Sequence, residues 1–294
     1  MKMKIILLLI IALGYNSLLF PQENILNIAI TNKNLSIQNT KSGYASIIDW
    51  AKKYLSKREQ LVKNNIVAEW YLFENNTVLE EFYKKKPIDV IGMRSIDYIL
   101  FNSKINFSPG LSVCFDNSET VEYCLVTSKY AGSKKRLAME KFYAKDLHNM
   151  WLETKILKEK KESVNSFFSE INTYENESEA LLSVFFNKNE FAIISKNKLE
   201  IMAELNHQIK NNINIIYTSP KYLYGLVAFS KTLEKSLIDI IVDEALSFDE
   251  KNESKQILEL FKVDKLERLT ENSLKNVENL MAEYSKLTVY KKKL

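Results

Sequence analysis

The sequence predicts an α/β protein of two lobes, each a mostly parallel sheet flanked by helices. Three observations carry this. Apolar runs of strand length alternate with amphipathic helical patterns over residues 24–101, the alternation breaks into two extended stretches over 112–128, and it resumes over 133–229. A chain of 294 residues also has the length for two cores, because single cores stop growing near about 250–300 residues.

Taken in order, residues 24–30 (NILNIAI) read as the first strand and 31–36 as a polar loop. Residues 42–55 place Tyr44, Ile47, Ile48, Ala51, Tyr54 and Leu55 at helical spacing, with lysines opposite. Residues 66–73 (IVAEWYLF) are β-branched and aromatic, hence a strand, and 76–86 a short helix with Asn76 or Thr77 as its N-cap. The segment 87–101 (PIDVIGMRSIDYILF) is a buried strand that breaks at Gly92 into a new helix, and it completes a β-α-β-α-β-α series that implies a parallel sheet. Such a strand–turn–helix sets polar groups and free helix N–H donors at the carboxyl end of a strand, where open α/β sheets bind ligands.

The two extended stretches of 112–128 have no helix between them and suit chain crossings from one lobe to the other. Beyond them come a short strand ending at Glu140, a helix over 146–158, a strand ending at Tyr174, and a helix over 178–186 that Ser178 caps. There follow a strand over 191–195 (FAIIS), a helix over 198–209, strands over 213–217 and 224–229, and helix from 233 to the end. Trp50, Trp70 and Trp151 read as core, and His148 and His207 as surface.

Composition limits the function classes. The chain is 46% hydrophobic and 27% charged, with 6 Gly and 4 Pro, values of a globular protein without long flexible linkers. Its net charge of +4 comes from Lys2, Lys4, Lys291, Lys292 and Lys293 at the two ends, so nothing asks for nucleic acid. Residues 1–22 read as a signal peptide: Lys2 and Lys4 precede an apolar run over 5–13 that is short of the ~20 residues of a membrane span. Cleavage fits after Ser17 or near Gln22; an uncleaved signal anchor is the other reading, and a lipid anchor is excluded because no cysteine follows. Cys114 and Cys124 flank the polar stretch 116–120. Two readings stand: a disulfide across two antiparallel strands of an exported protein, or two buried free thiols. Two Cys and two distant His form no metal site, and no cofactor motif is present.

The order of elements resembles the periplasmic solute-binding proteins of ABC importers, in particular the phosphate/phosphite/phosphonate-binding branch, over roughly residues 25–287. Asp89-Val90-Ile91-Gly92 followed by Ser95-Ile96-Asp97-Tyr98 is similar to that family's strand–turn–helix. Met150-Trp151-Leu152-Glu153-Thr154 is similar to its second-lobe helix, the run from Ser178 to Ile194 to the helix leading into its "G-x-x-D-A-A" strand, and Ile215 to Pro220 to its return strand. The resemblance implies a type II periplasmic-binding-protein fold, with lobe one at 23–124 and 226–294 and lobe two at 125–225, joined by crossing hinge strands. It implies a monomer that traps a small anionic or polar solute between the lobes for an ABC permease. The family's Ser/Thr cluster is replaced here by Met139 to Asp146, which holds neither residue, and its acidic position is Glu190.

On this resemblance Tyr98 faces the cleft. The residues themselves add that Ser95 donates from a helix start, unless it is only a cap, and that Arg94 beside it grips a carboxylate or phosphonate bidentately. Tyr44 opens the first helix and lines the cleft or packs. Lys141, Tyr143 and Lys145 stand in for the missing Ser/Thr cluster with charge, unless they form a solvated loop. The ligand-binding set is therefore Tyr98, Ser95, Arg94, Tyr44, Lys141, Tyr143 and Glu190. The second reading is an orphan sensor or interaction protein with the same fold and a degenerate cleft. No G-x-S-x-G, H-E-x-x-H or Gly-rich phosphate loop supports an enzyme.

Overall fold

The computed structural model describes residues 24–31, 48–49, 52–141, 146–248, 255, 258 and 263–291. The chain divides into two compact units, Met1–Gly92 with Ala228–Phe261 and Met93–Val227 with Lys262–Leu294.

In the first unit, strand β1 (Asn24–Thr31) pairs in parallel along its whole length with β2 (Ile66–Phe73), from Asn24 opposite Ile66 to Thr31 opposite Phe73. On its other side β1 pairs in parallel with the start of β3 (Val90–Arg94), Ile28 opposite Val90. The expected parallel β-α-β series is therefore present, and the continuous apolar runs follow from burial on both faces, with Ala29 and Ile91 fully enclosed. Helix α1 (Glu59–Lys63) is short. Helix α2 (Asn76–Tyr83) already includes both expected caps, and its cap is the preceding residue, Asn75. Asn75 is extended, and its Oδ1 accepts from the N–H of Thr77 at 3.0 Å and of Val78 at 3.1 Å. The carboxylate of Asp89 accepts from the Asn27 N–H at 2.8 Å and side-chain amide at 3.2 Å, tying the lead-in of β3 to β1. Arg58 reaches helix α9 (Lys235–Leu246) through an ion pair to Glu244 and a hydrogen bond to Ser247. Most of the helix expected over 42–55 lies outside the described residues, as do Tyr44 and Trp50; residues 48–49 and 52–55 are helical.

In the second unit, helix α3 (Ser95–Asn102) leads to β4 (Phe107–Cys114), which pairs antiparallel with β13 (Lys265–Arg268). A five-stranded sheet has the order β10 (Ile213–Thr218), β6 (Tyr123–Ser128), β9 (Phe191–Ser195), β7 (Arg136–Glu140) and β8 (Glu170–Tyr174). It is mixed, with β7 parallel to β8 and β9 and β6 antiparallel to β9 and β10. Helices α4 (Leu147–Lys160), α5 (Val164–Phe167), α6 (Glu177–Phe185), α7 (Lys196–Leu205), α8 (His207–Asn212) and α10 (Lys275–Lys291) complete the unit. Val126, Ala138, Leu181, Val184, Ala192 and Ile194 form the centre of a core between this sheet and α6. Two short strands, β5 (Thr120–Val121) and β11 (Tyr222–Leu223), pair antiparallel, and β12 (Gly225–Ser230) follows.

Several expectations are corrected here. The cap of α6 is Asn176, not Ser178, because the Asn176 Oδ1 accepts from the Glu179 N–H at 3.0 Å while Ser178 already lies inside the helix. The helix expected over 198–209 is two helices divided at Asn206, and β13 interrupts the C-terminal helical stretch. No disulfide joins Cys114 to Cys124. Both thiols are free and buried, since Asp116 and Asn117, at φ 49° and 60°, turn the chain tightly and send β4 and β6 into different sheets. Cys114 lies opposite Lys265, and Cys124 opposite Ile194 and Thr218.

Candidate functional site

Within the second unit, residues 119–124 and 219–224 run alongside each other: Tyr224 N–H donates to the Glu119 carbonyl at 3.0 Å and Ser219 N–H to that of Tyr123 at 2.8 Å. Residues 119–124 lie within the stretch 112–128 that was expected to cross between lobes; residues 219–224 carried no such expectation. The start of α3 is bound to them, with Ser95 N–H donating to the Tyr224 carbonyl at 3.0 Å and Ser95 Oγ to that of Leu223. Ser95 is fully buried and so serves as a staple rather than an exposed donor.

This staple fixes Arg94, the N-cap residue of α3. Its guanidinium donates from Nε to Asp97 Oδ2 at 2.7 Å and from Nη1 to Asp146 Oδ1. Its Nη2 is buried and has no hydrogen-bond partner among the described residues, and the same holds for Asp146 Oδ2. Asp146 is the N-cap of α4, the residue type that normally bonds the first helical N–H groups, yet its side chain makes no capping bond. The carboxylate is turned to Arg94 instead and gives up about 1 kcal/mol of capping.

Aromatic and titratable groups surround the pair. His148 is 3% exposed, with its ring 5.5 Å from that of Tyr123. Burial first, and then the Arg94 cation, lower its pKa to about 3, so the imidazole is neutral. The expected surface placement of His148 is thereby corrected: Leu147, Met150 and Trp151 around it are all buried. Burial raises the phenols of Tyr123 and Tyr224, Arg94 opposes this, and Glu140 and Glu177 reinforce it. Glu177, held up by burial, accepts from the Ser195 N–H at 2.9 Å and from its hydroxyl. No group of three or more His, Cys, Asp or Glu among the described residues could hold a metal ion.

The remaining expected site residues lie apart from Arg94 in their contacts. Tyr98 is buried and donates to the Phe107 carbonyl at 3.2 Å, so it packs rather than facing a solute. Glu190 is also buried, and Arg136 saturates its carboxylate: Nε at 3.0 Å and the backbone N–H at 3.1 Å to Oε2, and Nη2 at 2.9 Å to Oε1. Hydrogen bonding to Arg136 holds the Glu190 carboxyl below its usual range. Lys141 is exposed and its ammonium stands 3.7 Å from the exposed Glu175 carboxylate, the solvated-loop alternative. Tyr44, Tyr143 and Lys145 lie outside the described residues. Among the described residues of the expected set, only the Arg94 side chain contacts this cluster, whose other members are Asp97, Asp146, His148, Tyr123 and Tyr224. The one sequence signal that pointed to the other members was the aspartate before α4, which also reads as an ordinary cap.

Residues 68–274 match the family described as "ABC transporter, phosphonate, periplasmic substrate-binding protein". The chain belongs to that family. No curated protein matches the sequence. Among solved structures, a Xanthomonas citri protein bound to chloride superposes with a TM-score of 0.63 at 8% identity, over 90% of this chain and 99% of its own. A binding-protein component of a Pseudomonas aeruginosa ABC phosphonate transporter gives 0.58 at 10% identity, over 91% and 89%. The PhnD1 protein of Prochlorococcus marinus, in complex with methylphosphonate, gives 0.55 at 14% identity, over 90% and 99%. At these identities the likeness is one of fold, the two-lobed α/β architecture of type II periplasmic binding proteins. As a family of transport substrate-binding proteins, the phosphonate-binding family captures solutes for ABC permeases. No helix among the described residues is long and apolar enough to cross a membrane.

Proposed function

We propose that this chain binds a small oxyanion of the phosphonate type at Arg94 and presents it to an ABC permease. The observation that carries the reading is the buried Nη2 of Arg94, a charged donor with no hydrogen-bond partner among the described residues. A buried, unsatisfied donor costs about 1–3 kcal/mol, more for a charged group, and a ligand oxygen would recover it. The family match and the methylphosphonate complex of the Prochlorococcus marinus protein support the same class of ligand. The protein acts as a monomer without catalysis or cofactor. Residues 1–22 direct its export, and its lobes are 23–124 with 226–294, and 125–225.

The test is thermal unfolding against phosphate, phosphite, alkylphosphonates, amino acids and short carboxylates. A ligand at ~100 times its Kd adds ~2.7 kcal/mol of stability, a rise of a few degrees for a chain of this size. The expected result is a rise with oxyanions that Arg94→Ala abolishes. A flat response to the whole panel would refute the assignment.

A further inference from the structure

Independently of the oxyanion reading, we propose that one end of the five-stranded sheet is a docking surface for an anionic phospholipid bilayer. That end is made by the starts of β7, β8, β9 and β10 and the end of β6. Register fixes which residues meet there: Ile213 of β10 stands opposite Ser128 of β6, Phe191 of β9 opposite Thr127 and Leu137, and Arg136 of β7 opposite Glu170 of β8. Five strands at a spacing of about 4.8 Å make a strip roughly 19 Å across. Five exposed lysines crown it: Lys129 after β6, Lys134 and Lys135 before β7, Lys188 before β9 and Lys210 in α8. The Lys129 N–H donates to the Asn212 carbonyl and the Ser169 N–H to that of Lys135, both at 2.8 Å, which ties the loop 129–135 to the end of α8 and the start of β8. None of the five lysines makes an ion pair with another described residue. The exposed acids at this end are Glu170 and Glu204, while Glu162 is outnumbered by its neighbours Lys160 and Lys161, and Glu190 is taken up by Arg136.

Charge alone would make this a solvated face. The second observation is apolar. Leu205 is 83% exposed, Tyr130 70% and Phe186 63%, and no other large hydrophobic side chain among the described residues exceeds 57%. All three stand at this same end: Tyr130 next to Lys129, Phe186 where α6 stops and Leu205 where α7 stops. Exposed apolar residues scattered singly need no explanation, but the three most exposed gathered among unpaired cations do. Side chains so far out protrude rather than line a groove, so they suit a soft layer that they can enter. The headgroup boundary of a bilayer is such a layer, where aromatic and aliphatic groups sink in while lysines meet the lipid phosphates. Lysine fits that partner because its ammonium is a point charge on a flexible stem and needs no fixed geometry. Tyr123, beside His148, opens β6 at its other end, five residue steps or about 17 Å from Ser128, so docking leaves the oxyanion site open.

The experiment is amide deuterium exchange of the full chain with vesicles of phosphatidylcholine alone and with vesicles in which about one-third is phosphatidylglycerol. The readout is local, so attachment through the apolar run at residues 5–13 does not enter it. Slower exchange at residues 129–135 and 186–188 is expected with phosphatidylglycerol, fading as salt is raised, and no slowing there with phosphatidylcholine alone. Lys134→Glu with Lys188→Glu is expected to raise the lipid needed for half-maximal slowing at least about tenfold, since each lysine near such a surface is worth about fivefold in binding. Phe186→Ser with Leu205→Ser is expected to raise it severalfold at any salt concentration. Lys57→Glu with Lys63→Glu, the same change of charge at exposed sites of the first unit, is expected to leave it within about twofold. No slowing at these loops with phosphatidylglycerol would overturn the proposal, as would undiminished slowing in the Lys134/Lys188 or the Phe186/Leu205 variant. An equal loss in the Lys57/Lys63 variant would reduce the effect to net charge and overturn it too. Equal slowing by soluble polyglutamate would make the partner an acidic protein and refute the bilayer.

Discussion

His148 makes the stability of this protein sensitive to acid. Its pKa is lowered from 6.5 to about 3, by burial first and then by the Arg94 cation, against a smaller raising effect of Asn149. The folded protein thus keeps this imidazole neutral where the unfolded chain protonates it. Stability is fully present above about pH 6.5 and is lost progressively as the pH falls from there through about 3. At roughly 1.36 kcal/mol per pKa unit, the fall from pH 6.5 to 5 costs about 2 kcal/mol, and the whole window about 5 kcal/mol. The perturbation is His148→Gln, which keeps a polar side chain but cannot ionise. Urea unfolding followed by the fluorescence of Trp151, buried on the same helix, gives the free energy at pH 7 and at pH 5 for both proteins. Wild type is expected to lose about 2 kcal/mol more than the variant over that interval. Equal losses, or an imidazole proton resonance that titrates near the unperturbed pKa, would refute the argument that burial beside a cation keeps the ring neutral.

Four further outcomes follow from the geometry. Tyr98→Phe removes a hydroxyl that donates to the Phe107 carbonyl, so it lowers stability by about 1 kcal/mol in urea unfolding and leaves anion affinity at the wild-type value. Glu190→Gln breaks the clamp on Arg136, and calorimetry is expected to show unfolding several degrees lower with ligand affinity unchanged; altered affinity would return Glu190 to the binding site. Leu181→Ala opens a cavity in the core beneath the five-stranded sheet, and the urea midpoint should report a loss of about 2–5 kcal/mol. Cys114, its thiol pushed up to about 11 by burial, and Cys124, also raised, should both resist a thiol reagent in the native protein and react in denaturant, with no change in unfolding temperature on adding reductant.

The elements that the sequence made legible are those whose periodicity is set by burial. FAIIS is β9 with both ends as expected, because a strand covered on two faces has to be apolar throughout. β13 was not legible. Its residues are Lys-Leu-Glu-Arg, and it is a strand because its backbone pairs with β4, which no side-chain pattern announces. The missed cap of α2 is a choice between adjacent asparagines, settled only by the extended backbone at Asn75. Arg94 stood out as a candidate because a guanidinium beside Ser95 at a helix start can grip an oxyanion bidentately. Its partner was hidden, since an aspartate before a helix is what capping alone would select. His148 was misplaced because its neighbours Asn149 and Glu153 are polar, whereas burial follows the other helix face.

The two units have one more consequence, for the moment at which the protein can fold. The first is made of Met1–Gly92 and Ala228–Phe261, so its final segment emerges only after all of 93–227 has been made. At about 5–20 residues per second, that is a delay of roughly 7–27 s after residue 92 leaves the ribosome. Through that interval β1 and β2 exist without the returning stretch at Ser230, whose N–H later closes on the Asp89 carbonyl at 2.8 Å. A nascent chain of this topology lacks the last piece of its first unit while the middle is synthesised. For a family that works in the periplasm, a segment still unfolded is one that can pass through a narrow channel.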